Sequence, residues 1–105
     1  MAFLDIRVNT SPGSRTAIPY LLEVQADLLS GLATRVVVPL YRKQDAPARI
    51  MTGLTPALEH GGQTLVAMVP ELAGVPANRL GAVAGSLAAR RSELLAALDL
   101  LITGS

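Results

Sequence analysis

The chain contains no cysteine and no tryptophan, and only one phenylalanine and two tyrosines among its 105 residues. The lack of cysteine excludes disulfide staples, thiolate metal sites and a cysteine nucleophile, so stability has to come from packing. The scarcity of aromatic rings excludes stacking platforms for single-stranded nucleic acid and leaves aliphatic side chains to fill the core. Charge of one sign is also missing. Nine basic residues against eight acidic ones give a formal net charge of +1, and the basic residues are scattered, with no stripe that would track a phosphate backbone. Direct nucleic-acid binding is therefore not expected.

No apolar run approaches the roughly 20 residues of a membrane-spanning helix. The opening MAFLDIRV reaches Asp5 where a secretory leader would continue its apolar core. The expectation is a cytoplasmic protein with no membrane partner. Half of the residues are hydrophobic and 16% are charged, which excludes a disordered chain. The length suits one domain, expected to span residues 1–105.

Leu4, Ile6 and Val8 alternate with Phe3, Asp5 and Arg7, the period of a half-buried strand. Residues 9–14 (NTSPGS) are turn formers, and a second strand is expected over 18–24, where Pro19 lacks a donor and places the start at an edge or bulge. Residues 35–41 (RVVVPLY) hold three consecutive β-branched valines, and Pro39 points to an edge strand or a bulge. Residues 42–53 lack a period and read as an exposed connection. Apolar runs at 55–59 and 63–69 flank His60-Gly61-Gly62, an antiparallel hairpin signal.

Beyond Pro76, Leu87, Leu94, Leu95, Leu98, Leu101 and Ile102 recur at spacings of three and four, one face of a helix of about four turns. Ser86 is its expected N-cap and Gly104 its C-terminal stop. The expected fold is mainly β (α+β): an antiparallel sheet forming an SH3-like, partly closed barrel, with a C-terminal α-helix. The apolar helix face is rich for so small a sheet and suggests coverage by a second copy, with Leu98, Leu101 and Ile102 as candidate dimer-interface residues.

Catalytic groups are hard to assemble from this sequence. His60 is the single histidine and reads as a solvated turn residue, with no neighbouring nucleophile or orienting carboxylate. Gly61-Gly62 is followed by no Lys-Ser step or helix start, so it is not a phosphate cradle, and Gly81 and Gly85 fail likewise. One histidine and dispersed carboxylates offer no metal-ligand spacing. No catalytic residue, metal or cofactor is assigned. Asp27-Leu28-Leu29 is more informative: adjacent leucines cannot both face one core in a continuing strand, so either a bulge buries both or one is a contact residue.

Val24-Gln25-Ala26-Asp27-Leu28-Leu29 followed by Arg35-Val36-Val37-Val38-Pro39-Leu40 resembles the V-Q-x-D-I-I and R-x-V-I-P-L blocks of the CcdB toxins of toxin–antitoxin modules. Thr55-Pro56, Gly61, Met68, Val75-Pro76, Gly81, Leu87 and Arg90 continue the likeness over nearly the whole chain, with a longer loop at 9–15. The resemblance implies a barrel-like β fold with a terminal helix, assembled as a homodimer. It further implies a non-enzymatic toxin that binds the A subunit of DNA gyrase, traps its cleaved-DNA complex, and is neutralised by a partly disordered cognate antitoxin that folds on binding.

The resemblance places the gyrase-type contact at Leu28, Leu29, Asp99, Thr103, Gly104 and Ser105. The chain departs from the family pattern here, with Thr103-Gly104-Ser105 where Trp-Gly-Ile is usual and Asp99 where asparagine is usual. An aromatic anchor can account for about 2 kcal/mol, so its replacement weakens a contact more than about tenfold. Two alternatives stand beside this reading. One is an RNA endonuclease toxin of the same fold, for which Arg35, Arg49 and His60 are dispersed candidates. The other is a homologue without a target, retained as an antitoxin-binding dimer.

Overall fold

The computed structural model describes residues 3–29, 31–48 and 53–104. These form strands β1 (Asp5–Asn9), β2 (Tyr20–Glu23), β3 (Thr34–Arg42), β4 (Ala57–His60), β5 (Gln63–Ala67), β6 (Ala73–Pro76) and β7 (Leu80–Ser86), followed by helix α1 (Arg91–Thr103). The sheet is antiparallel in the order β4-β5-β3-β2-β1-β7, with β6 joined to the first half of β3. It curls into a half-barrel closed by α1, as the alternating patterns and terminal helix stripe imply. Leu4, Ile6, Leu22, Leu40, Leu65 and Leu94, each no more than 1% exposed, make the centre of an aliphatic core.

The strand for which Pro39 implied an edge position or a bulge is the central one. β3 pairs with β2 on one side and with β6 and then β5 on the other. Pro39 is tolerated because it sits where β3 changes partner. Its carbonyl accepts the Met68 N–H (3.0 Å) as the chain leaves β5, and its absent donor falls at this break in the ladder.

Leu4, just before β1, and Ile6 within it are buried as the alternation requires, but Val8 is 36% exposed and Asn9 only 6%. The register against β7 shifts between Ile6 and Arg7 and again between Arg7 and Asn9, and each bulge resets the face presented. The buried Asn9 then organises the loop that follows. Its Nδ2 donates to the Ile18 carbonyl (2.8 Å) and to Ser14 Oγ (3.0 Å), and its Oδ1 accepts the Ser11 N–H (3.1 Å).

β6 (AGVP) and β7 (LGAVAGS) carry no periodic signal because their residues are small; pairing with β3 and β1 makes them strands. At Gly81 a Cβ would lie 2.7 Å from the Val8 carbonyl oxygen, so this backbone approach admits no side chain.

The hairpin forms as expected. Gly61 (φ 59°) and Gly62 (φ 80°) make its two-residue turn, a left-handed pair that glycine adopts without steric cost. His60, however, is not in the turn. It ends β4 opposite Gln63, is half-buried, and meets the Tyr20 ring edge-on at 5.1 Å. Its ring also crowds Gly85, bringing the two ends of the curled sheet together.

The helix starts later than expected. Ser86 closes β7, and its Oγ accepts the Ala88 N–H (3.1 Å) ahead of a 3₁₀ turn, so it does not cap α1. Leu87 precedes the helix and is buried, with its N–H donated to the Leu4 carbonyl (2.9 Å). Gly104 (φ 75°) ends α1 in the left-handed conformation, its N–H bonded to the Leu100 carbonyl (3.0 Å).

Candidate functional site

The connection from β2 to β3 leaves the sheet at Val24 and makes a 3₁₀ turn over Asp27–Leu29, so the adjacent leucines stand on a turn and not on a bulged strand. Three polar side chains hold this connection. Gln25 Nε2 donates to the Leu29 carbonyl (2.9 Å), and its Oε1 accepts the Val36 N–H (3.2 Å), so one amide ties the turn to the start of β3. Arg35, 4% exposed, donates from Nη1 to the carbonyls of Leu32 and, at 3.0 Å, Thr34. Asp27 accepts the Phe3 N–H and fastens the connection to the N-terminal segment. On this supported turn Leu29 is 46% exposed, and Leu32 just after it is 51% exposed.

Helix α1 supplies the second half of the surface. Leu94 and Ala97 are sealed against the sheet, while Leu98 and Leu101 pack half-buried on the same core. Ile102 stands clear at 73% exposure. Of the three candidate dimer residues, two are thus partly used within the subunit and the third is free in it. Asp99, Thr103 and Gly104 are exposed. Thr103 Oγ1 donates to the Asp99 carbonyl (2.7 Å), turning the hydroxyl back on its own helix. Ser105 lies outside the described residues.

A cavity of about 440 Å³ lies between the two halves, with Val24 and Asp27 on the connection side, Leu95 and Leu98 on the helix, and Phe3 beside them. Arg91 caps one wall, its guanidinium 5.1 Å from the Phe3 ring centre, a cation–π contact that keeps the charge at the rim. The structure therefore sets the 24–29 connection and the α1 face around one concave surface, apolar within and bearing one carboxylate and one guanidinium.

Behind this surface lies a buried ion pair. Glu23, 3% exposed, meets Arg7 at 3.2 Å, and Arg7 Nε also donates to the Gly81 carbonyl (2.8 Å). Burial raises the pKa of Glu23, and the Arg7 charge opposes that shift without cancelling it. Across the sheet, burial and a hydrogen bond to Glu71 (2.5 Å) push Tyr41 up to about 12. Arg7–Glu23 ties β1 to β2, Tyr41 ties β3 to the 3₁₀ turn at 69–71, and none of the four lines the concave surface.

The candidates for RNA cleavage are not presented as a reactive set. The Arg35 guanidinium is buried under the 32–34 carbonyls, His60 is wedged between Tyr20 and Gly85, and Arg49 lies outside the described residues. Among the described residues no three His, Cys, Asp or Glu side chains group as metal ligands. No described helix is long and apolar enough to cross a membrane. Sequence reasoning missed Gln25 and Arg35 as parts of the site. The available signal was their position as polar residues inside the two apolar blocks that carry the family likeness.

The fold defines the first level of kinship. A solved structure described as an endoribonuclease in complex with its cognate antitoxin, from a mycobacterial species, superposes with a TM-score of 0.73 at 18% identity, covering 97% of this chain and 94% of that one. No curated protein sequence matches. The family model described as CcdB protein matches residues 5–104. The chain belongs to the CcdB family, the toxins of toxin–antitoxin modules.

Proposed function

We propose that this protein is a toxin that acts by binding the A subunit of DNA gyrase, assembled as a homodimer and neutralised by a cognate antitoxin. The observation that carries the reading is the placement of the family's contact positions. Leu29 stands exposed on a clamped turn, and Asp99, Thr103 and Gly104 are exposed at the end of α1. Leu29 is apolar and yet stays outside the core that takes up Leu94 and Ala97. The protein needs no catalytic constellation for this activity, because binding to the cleaved-DNA complex of another enzyme is the whole mechanism.

Thr103 makes the contact weaker than an aromatic anchor would. The test is induction of the full chain in bacteria, with growth and gyrase-linked DNA cleavage as readouts. Growth arrest with accumulated cleavage supports the reading; normal growth without cleavage in a host of matching gyrase rejects it.

The name of the structural neighbour favours a second reading, an RNA endonuclease toxin. It requires that the purified chain cleave RNA and that Arg35 or His60 variants lose the cleavage while staying folded. If the chain neither cleaves RNA nor binds gyrase fragments yet forms a dimer that holds an antitoxin, it is a homologue that has lost its target.

A further inference from the structure

We propose that Gln25 and Arg35 are positioning residues for the target contact, holding the connection between β2 and β3 in the one conformation that presents Leu29. This inference rests on the gyrase-binding reading above. A turn that carries exposed leucines has little apolar burial of its own to fix it, since Leu29 and Leu32 are 46% and 51% exposed. An unrestrained connection of this length would sample many conformers and lose affinity in proportion to the fraction that is competent.

The chain supplies the missing restraint with side-chain hydrogen bonds. Gln25 uses both ends of its amide, the nitrogen on the Leu29 carbonyl (2.9 Å) and the oxygen on the Val36 N–H (3.2 Å), and so spans the whole connection from its first residue. The Arg35 guanidinium sits under the far limb, on the Leu32 and Thr34 carbonyls, and is 4% exposed. Burying a guanidinium is costly unless its donors are taken up, so this arrangement persists only while those carbonyls face it.

The two clamps converge on one carbonyl, since Gln25 Nε2 also donates to the Thr34 oxygen (3.4 Å), which Arg35 Nη1 reaches at 3.0 Å. β2 and β3 are already paired from Tyr20–Leu40 to Glu23–Val37 without them, so sheet formation does not require Gln25. Its role is local, and the consequence of removing it should be local.

The test uses the full chain and three readouts: affinity for the purified gyrase A subunit, thermal midpoint, and amide hydrogen exchange at Leu29, Leu32 and Val36. Gln25→Met keeps the side-chain length and deletes all three hydrogen bonds, to Leu29, Thr34 and Val36. The expected result is an affinity lower by about tenfold, as follows if the competent conformer falls to roughly a tenth of the population, with faster exchange at Val36 and Leu29 and a nearly unchanged midpoint. Gln25→Glu keeps an acceptor for Val36 but turns a carboxylate oxygen toward the Leu29 and Thr34 carbonyls, so its affinity should fall at least as far as that of Gln25→Met.

Faster exchange together with wild-type affinity would overturn the proposal, as would exchange unchanged in Gln25→Met. A midpoint that falls in step with affinity in both variants would assign Gln25 to the fold and also overturn it. A wild-type chain that fails to bind gyrase would instead reject the underlying reading, and the exchange data would still report whether the clamp exists.

Discussion

The inner face of α1 and its last turn differ in what their leucines and isoleucine touch. Leu94 and Ala97 are at most 1% exposed, whereas Ile102, two turns beyond Leu94, is 73% exposed. Both belong to the same apolar stripe by spacing, yet Leu101 keeps to the buried line and packs on the core while Ile102 is turned off it. The same division recurs between β2 and the connection that follows it, where Leu22 is fully buried and Leu29 is 46% exposed. The difference teaches that this chain builds stability in one layer and leaves apolar side chains at two adjoining margins where another protein can use them.

The division can be broken from the inside first. Leu94→Ala should lower unfolding free energy by about 2 to 5 kcal/mol in chemical denaturation, because a sealed core site collapses poorly around the cavity. Ile102→Ala should stay within about 0.5 kcal/mol of wild type. Equal losses at the two sites would show that the last turn serves the fold.

Gly81→Ala should cost about 1 to 3 kcal/mol by the same measurement, since the new methyl meets the Val8 carbonyl at 2.7 Å and must part β1 from β7. From the outside, Thr103→Trp should tighten gyrase binding by about tenfold, roughly 1.4 kcal/mol, with no change in unfolding free energy. A tryptophan that alters stability and leaves affinity alone would place this position on the structural side of the division.

The smallest effect concerns Glu23. Its pKa in the fold lies above the ordinary value of 4.5 because of burial. The folded state thus binds its proton more tightly than the unfolded state, so this group's contribution to stability is fully present below the unfolded pKa and is lost as pH rises through the folded one. Glu23→Gln should flatten that part of the stability–pH curve, measured by urea denaturation from below pH 4.5 upward. A curve unchanged by the substitution would assign the slope to other carboxylates.

Much of the architecture was legible in the chain. Gly61-Gly62 specified the hairpin turn, Gly104 the helix end, and the valines of β3 a strand, because each depends on φ preference or side-chain shape within a few residues. The position of β3 was not legible from Pro39, which fits a central strand only because β6 gives way to β5 beside it. β6 and β7 were invisible because glycine and alanine carry no period. The site was half legible: the paired leucines and the helix end could be named, but the Gln25 and Arg35 clamps bridge groups that only the turn brings together.

The sequence alone thus determined the class of elements, the helix stripe, the turn at Gly61-Gly62 and the family, since local stereochemistry and residue order suffice for these. Only the tertiary structure decided that His60 is wedged against Tyr20, that Asn9 is buried while Val8 is not, and that Ile102 and Leu29 remain outside. Burial depends on which distant strand or helix arrives to cover a side chain, and two bulges or one partner change are enough to reverse it.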